Sequence, residues 1–210
     1  MISSDKLYET LLEEYGTPPW WSDDPFTVVF QSVLVQNTSW RNVVKTTESM
    51  GAVPSPEEII AMELEALEDL IRPCGFFHSK AMTIKALAAW WKKHGASDSV
   101  PSIKLRSGLL SIRGVGEETA DVILLYALHR PAFVVDAYTR RLLFRIGCSF
   151  RSDDDIRGYV NEGLPQDALI YGRFHWLVLQ HCIAVCRKKA ECSSCCLCSV
   201  CSTGRKSMRL

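Results

Sequence analysis

The chain has 210 residues, 47% of them hydrophobic, which is enough for one or two compact domains with buried cores. Its 24 Lys and Arg balance 24 Asp and Glu, so there is no overall basic excess of the kind that nucleic-acid-binding proteins often carry. No apolar run reaches the ~18 residues of a membrane span, and the N-terminus has no signal-peptide core. We therefore expect a cytoplasmic protein, in which nine cysteines favour a metal site over a disulfide framework.

Helical periodicity dominates, and we find no convincing set of strands, so the sequence predicts an all-α fold. The N-terminal helix begins at a Ser4 or Asp5 cap. The run Ser55-Pro56-Glu57-Glu58 joins a cap, a proline and a capping-box glutamate, and predicts a helix to about Ile71. The other predicted helical segments are 25–50 as one helix or two, Ser79 to about His94, Ala137–Ile146, Asp153–Asn161 and Pro165–Cys186.

Two short helical patterns flank the tight turn Gly114-Val115-Gly116. Both glycines allow backbone angles that other residues resist, so we expect Gly114 to end the first helix and the second to begin at Glu117 or Glu118. Backbone N–H groups at such a turn point outward together and form a site for an anion such as a DNA phosphate. A helical turn with a plain glycine cap is the alternative interpretation.

This turn resembles the helix-hairpin-helix motif of the endonuclease III superfamily of DNA glycosylases, because Thr119-Ala120 and then Val134-Val135-Asp136 follow at that family's distance. The segments Phe26–Val44 and Gly75–Ala81 extend the resemblance over almost the whole chain. It implies two helical domains with the active cleft between them. Residues 20–130 would form a six-helix barrel that holds the hairpin, and residues 1–19 with 131–210 would form a helical domain that carries an iron–sulfur cluster loop.

Four cysteines near the C-terminus, Cys186, Cys192, Cys195 and Cys201, have the spacing C-x5-C-x2-C-x5-C. Four thiolates suit a 4Fe-4S cluster or a tetrahedral zinc ion, and spacing alone does not separate the two. The resemblance favours the 4Fe-4S cluster. Cys196 and Cys198 lie inside this loop and Cys182 lies one helical turn before it, and of these we treat Cys196 as a bystander. Cys74 and Cys148 are expected to be plain buried cysteines.

Asp136 is the expected catalytic carboxylate, because a fixed negative charge stabilises an oxocarbenium-like transition state. A simple N-cap aspartate is the alternative, and both roles are compatible. Bifunctional relatives carry a lysine two residues after the second glycine, where this chain has Glu118. Since a carboxylate forms no Schiff base, the resemblance implies base removal by water, without strand cleavage.

Several short segments resemble the endonuclease III-like 3-methyladenine DNA glycosylases, namely Trp20-Trp21, Gln36-Asn37-Thr38 and Arg72–Phe76. Trp20 and Trp21 would stack on an alkylated purine while Glu118 faces its cationic ring. The alternative for the two tryptophans is a core anchor. Ser32 stands where adenine-mismatch members have glutamate, which argues against that branch.

The expected partner is double-stranded DNA with a damaged base, bound by a monomer that would be nucleoid-associated in a bacterium or archaeon. Gln36 matches the family's wedge residue, with a turn-capping amide as its alternative, and the other predicted DNA contacts are Lys80, Gly114, Val115, Gly116 and Thr119. The resemblance thus predicts a monofunctional base excision repair DNA N-glycosylase. A bifunctional lyase on oxidised pyrimidines, a mismatch glycosylase and a non-catalytic DNA-binding module are the alternatives.

Overall fold

The computed structural model describes residues 2–95 and 99–207, and every regular element in these ranges is helical. The prediction of an all-α fold is therefore confirmed. No helix in the described ranges is long and apolar enough to cross a membrane. The α-helices are α1 (Ser4–Tyr15), α2 (Pro25–Leu34), α3 (Trp40–Met50), α4 (Pro56–Ala61), α5 (Leu64–Ile71), α6 (Phe77–His94), α7 (Ser102–Leu110), α8 (Glu117–Val122), α9 (Ala137–Ile146), α10 (Asp153–Gly163), α11 (Ala168–Ala184) and α12 (Ser202–Ser207). Two 3-10 turns cover Arg72–Cys74 and Cys192–Ser194, and a π-helical segment covers Ile123–Ala127.

The chain folds into two compact units. One unit contains Met1–Trp20 and Pro131–Leu210, and we name it the terminal unit. The other contains Trp21–Arg130, and we name it the central unit. Both ends of the sequence therefore belong to the same unit, and the central unit is inserted between them.

The central unit is built around α6, which packs against α2, α4 and α5. Aspartate and proline together start α2: the Asp24 carboxylate accepts hydrogen bonds from the Phe26 and Thr27 amides, and Pro25 occupies the first position. The capping box at Ser55 is present as predicted. However, the single helix predicted from there to Ile71 is wrong, because Met62 and Glu63 have extended backbone angles that separate α4 from α5.

The terminal unit is built around α11, which packs against α1 and α9. Its largest buried side chains include Tyr171 and Phe174, and the Phe133 ring contacts both of them. The Asp167 carboxylate accepts the Ile170 amide and starts the helix at Ala168, three residues later than predicted. The predicted bounds of α9, Ala137–Ile146, are confirmed.

Lys80 is a buried structural cation, and this contradicts its expected role as a phosphate contact. Its side chain is 3% exposed, and Nζ donates hydrogen bonds to the carbonyl oxygens of Leu34 at 2.9 Å and Cys74 at 2.8 Å. Burial lowers the pKa of Lys80 from its usual range. The ammonium therefore joins the end of α2 to the turn before α6, because both segments present carbonyls that no helix satisfies.

We expect Lys80→Met to lower the free energy of unfolding by about 3 kcal/mol, because two buried carbonyls lose a charged donor. Denaturant unfolding measures this change. Lys93→Met, on an exposed part of the same helix, is the matched control and should unfold as the wild type does. Equal stability of the two variants, with DNA affinity lost only in Lys80→Met, would restore the phosphate role.

Candidate active site and cysteine cluster

The glycine hairpin lies between α7 and α8. α7 ends at Leu110 with Ser111 as its C-cap, so the expectation that Gly114 ends this helix is wrong. A short turn follows, in which the Val115 amide donates to the Ile112 carbonyl at 3.0 Å. This bond removes the Val115 amide from the predicted anion site. α8 begins at Glu117, within the predicted start, and the amides of its first turn have no acceptor inside the helix.

The two hairpin glycines have different requirements. Gly114 has a φ of +92°, and a Cβ there would lie 2.2 Å from Oγ1 of Thr83, so both the backbone and the space require glycine. Gly116 has φ −93° and ψ 178°, which any residue adopts, so the expectation of special angles there is wrong. A Cβ at Gly116 would meet no described atom within 4 Å. The absence of a side chain at Gly116 therefore leaves the start of α8 open to a large group.

Gln36 contacts the hairpin in this structure. Its Nε2 donates to the Gly114 carbonyl at 3.1 Å and to Oγ1 of Thr119 at 2.9 Å. The turn after α2 and the hairpin are thus joined by one amide, which matches the turn-capping alternative. A wedge role for Gln36 requires these two hydrogen bonds to open, and it stays a prediction.

An ion pair braces the hairpin from α7. The Arg106 guanidinium binds both carboxylate oxygens of Asp121, at 2.7 and 3.2 Å, and also reaches Glu117 at 3.2 Å. Asp121 is 2% exposed, so this bidentate pair is largely removed from water. Glu118 is exposed in the first turn of α8. The sequence analysis missed Arg106 and Asp121 because charged residues on short helices usually belong to a solvated face.

Trp21 is half-buried in an aromatic cluster of the central unit. Its Nε1 donates to Oε1 of Gln31 at 2.8 Å, and its ring meets the rings of Trp40 at 5.5 Å and Tyr126 at 5.3 Å, edge to face. These contacts match the anchoring alternative and also hold the indole in one orientation. Trp20 is half-exposed and belongs to the terminal unit, so the chain passes from one unit to the other between the two tryptophans.

Asp136 is the N-cap of α9 and is 6% exposed. Its Oδ1 accepts the Thr139 amide at 2.7 Å, and its Oδ2 lies 3.6 Å from Nε2 of His175, which is within ion-pair range when the imidazole is protonated. Burial by itself raises the pKa of Asp136, but His175 and the Thr139 amide outweigh it, and the pKa falls below its usual range. Asp136 is therefore both an N-cap and a fixed, ionised carboxylate.

His175 and Phe76 are candidate residues that the sequence analysis missed. His175 lies on the buried side of α11, 39 positions after Asp136, and nothing local in the sequence marks it. Phe76 is 68% exposed and has a φ of +48°, a strained backbone for an aromatic residue. An aromatic residue directly after Gly75 is the sequence signal that could have indicated it.

The four predicted ligand cysteines line one pocket of the terminal unit that holds about 320 Å³ of space, part of it open to solvent. Arg145 shapes the loop that starts this pocket, because its guanidinium donates to the carbonyls of Cys186, Arg187 and Lys188 and to Sγ of Cys186 at 3.2 Å. A hydrogen bond from the Cys182 thiol, with that from Arg145, lowers the pKa of Cys186 to about 6. A thiolate at this position suits a metal ligand.

The remaining cysteines of this region do not line the pocket. Cys182 is buried with its Sγ 3.6 Å from the Tyr138 carbonyl oxygen, and Cys198 is buried against Gly204. Cys74 and Cys148 are buried, as predicted. Within residues 2–95 and 99–207, no three cysteine, histidine or carboxylate side chains converge on the position of one metal ion.

Comparisons with known proteins agree with this geometry. Residues 30–165 match the family model of the HhH-GPD superfamily base excision DNA repair proteins. A protein of Methanocaldococcus jannaschii, named as a DNA repair glycosylase, is 40% identical over 201 residues, which are 90% of this chain and 91% of that protein. The endonuclease III of Sulfolobus acidocaldarius is 28% identical over 81% of this chain and 78% of its own length.

A solved structure of endonuclease III in a non-covalent complex with DNA superposes with a TM-score of 0.82, at 25% identity and over 100% of both chains. The resemblance inferred from the hairpin, from Asp136 and from the cysteine spacing is therefore confirmed at the level of family and fold. On the family model and these relatives, the chain belongs to the HhH-GPD superfamily of base excision DNA repair glycosylases.

Proposed function

We propose that the protein is a monofunctional DNA N-glycosylase in which Asp136 directs hydrolysis. The observation that carries this proposal is the ionised, almost fully buried carboxylate of Asp136, held by Thr139 and His175. A pure DNA-binding module has no use for such a carboxylate beyond its role as an N-cap. Glu118 stands at the position of the bifunctional members' lysine, so the hairpin helix offers no amine for a Schiff base.

In the proposed reaction the bond between the base nitrogen and the sugar C1′ breaks, and its electron pair leaves with the base. Positive charge develops on the sugar, and the negative charge of Asp136 stabilises it. Water then bonds to C1′ and gives its proton to the Asp136 carboxylate. His175 favours the ionised form of Asp136. Because its ring is itself buried on α11, it also limits the orientations of the carboxylate.

The hairpin would bind a phosphate of double-stranded DNA. The first amides of α8 point away from the helix and carry its positive dipole end. The missing side chain at Gly116 lets a phosphate approach them closely. Arg106 supports this surface by neutralising Asp121 and Glu117, whose charge would otherwise repel the phosphate.

The cysteine pocket fits a 4Fe-4S cluster. Cys186, Cys192, Cys195 and Cys201 line one cavity, and the resemblance of their spacing to the family's cluster loop favours a 4Fe-4S cluster over a single zinc ion. When bound, such a cluster supplies cross-links that hold the loop folded. Arg187, Lys188 and Lys189 are exposed on this loop and would contact the DNA backbone.

The proposed substrate is an alkylated purine such as 3-methyladenine. A cationic base is already a good leaving group and needs a stacking pocket more than a strong acid. Trp20 and Trp21 are half-exposed indoles that can still present a face, and Glu118 is an exposed carboxylate that can meet a positive ring. This choice rests on residue types and on the resemblance of short segments.

Asp136→Asn should reduce base release at least about a hundredfold, because the transition state loses its stabilising charge. DNA affinity should stay within about threefold, since the phosphate contacts remain. Single-turnover base release and fluorescence anisotropy measure the two effects. Thr10→Ala, at a half-exposed position of α1 in the same unit, is the control variant, purified and assayed in the same way. Near-normal turnover of Asp136→Asn would exclude the assignment.

No covalent enzyme–DNA adduct should form with the wild type in the presence of borohydride, because Glu118 has no amine. The abasic product should break only after alkali treatment. Glu118→Lys is the matched positive control, since it places an amine at the position of the bifunctional members' lysine. An adduct with the wild-type protein would show that another nucleophile acts.

Gly116→Ala should fold normally and bind DNA about tenfold more weakly, because the methyl group meets no protein atom but enters the proposed phosphate site. Gly114→Ala should instead destabilise the fold by at least about 1–2 kcal/mol, because an L-residue is strained at positive φ and its Cβ would also lie 2.2 Å from Oγ1 of Thr83. Thermal unfolding and DNA titration separate these effects. Unchanged DNA affinity of Gly116→Ala would exclude this phosphate site.

Base–aromatic stacking is worth about 1–3 kcal/mol, so Trp21→Ala should cut release of alkylated bases roughly ten- to a hundredfold. Trp21→Phe keeps a ring in the cluster and separates stacking from stability. Glu118→Gln should weaken the preference for charged bases. Strong release of thymine from mismatches or of oxidised pyrimidines, with none from alkylated DNA, would retire this substrate and leave the glycosylase proposal intact.

A further inference from the structure

His181 links a ligand cysteine to a distant tyrosine. Its side chain lies on α11, is completely buried, and lines the same pocket as the four cysteines. Nε2 of this ring is 3.6 Å from Sγ of Cys195, within range of a hydrogen bond to sulfur. Neither the cysteine spacing nor the proposed reaction assigns a role to this imidazole.

The other ring nitrogen has a partner of its own. Nδ1 of His181 lies 3.0 Å from the hydroxyl of Tyr15, the last residue of α1, and the two rings meet edge to face at 5.9 Å. A phenol hydroxyl that donates to Nδ1 leaves the ring hydrogen on Nε2. A thiolate ligand only accepts hydrogen bonds, so the same tautomer is the one that Cys195 requires.

Building on the proposed cluster, we propose that His181, oriented by Tyr15, is a positioning residue that donates a hydrogen bond to the cluster ligand Cys195 and raises the reduction potential of the cluster. A donor to a ligand sulfur stabilises the state with more negative charge, which is the reduced state. It also fixes the direction of the Cys195 side chain.

Two of the other ligand cysteines have hydrogen-bond donors of their own. The Arg145 guanidinium donates to Sγ of Cys186 at 3.2 Å, and the Gly204 amide lies 3.4 Å from Sγ of Cys201. His181 joins α1 to the pocket, because its two ring nitrogens lie near the Tyr15 hydroxyl and near Sγ of Cys195.

The experiment compares Tyr15→Phe, His181→Phe and His181→Gln in protein purified without oxygen. Iron per chain, the visible absorption spectrum, the midpoint potential and the rate of bleaching by a chelator are measured on each. Gln retains an N–H donor near the position of Nε2, so it is the conservative variant. Tyr159→Phe is the matched control, because it removes a phenol hydroxyl that donates to the Ile2 carbonyl in the same unit.

We expect lower potentials in Tyr15→Phe and His181→Phe, bleaching about tenfold faster in His181→Phe, and values close to wild type in His181→Gln and in the control. If His181→Phe fails to fold, Tyr15→Phe carries the test, because it keeps the imidazole. The double variant should match His181→Phe alone, since Tyr15 acts through the histidine.

Unshifted potentials and bleaching rates in iron-loaded Tyr15→Phe and His181→Phe would overturn this inference and leave the cluster itself in place. A shifted midpoint potential in His181→Phe with an unshifted one in Tyr15→Phe would also overturn it, because in this proposal the Tyr15 hydroxyl sets the tautomer of His181. Wild-type protein that holds zinc and no iron would overturn both the cluster and the hydrogen bond to it. Base release is scored separately and bears on the glycosylase proposal alone.

Discussion

The fold and the proposed chemistry of the terminal unit depend on one constraint, the burial of a negative charge at the start of α9. A carboxylate that is 6% exposed stays ionised only when it has hydrogen-bond donors and a charge partner, and Asp136 has the Thr139 amide and His175. The first partner comes from the helix that Asp136 caps, and the second comes from α11, the central helix of the same unit. Packing of the terminal unit and the chemistry proposed for it are therefore set by the same contacts.

Buried and half-buried cations fix other segments of the molecule. Lys80 satisfies two carbonyls and fixes the segments that carry Gln36 and Phe76, while Arg106 braces the hairpin through Asp121. Arg145 holds the backbone at the start of the cysteine loop. Lys80 and Arg145 stabilise irregular backbone, since such backbone has polar groups that no helix satisfies, whereas Arg106 binds side chains of α8.

Local patterns were sufficient for the helical class, for α9 and for the Ser55 cap, because capping and periodicity depend on neighbouring residues. They failed where the outcome depended on distant packing. The helix predicted over 56–71 is interrupted at Met62. The Lys80 side chain is buried against a carbonyl of Leu34, which local sequence around Lys80 does not indicate. His175 becomes a candidate only through its contact with Asp136, and His181 only through its contacts with Tyr15 and Cys195. None of these partners adjoins its histidine in the sequence.

The most direct test of the central claim counts products in one sample. Single-turnover reactions use duplexes with alkylated, oxidised, deaminated or mismatched bases, and each reaction is divided into two portions. Free base is measured in one portion, and strand breaks are measured in the other, before and after alkali treatment. The account predicts that one free base appears for each alkali-sensitive site, with the strand intact before alkali. Strand breaks that match base release without alkali, or no base released from any of the duplexes, would contradict it.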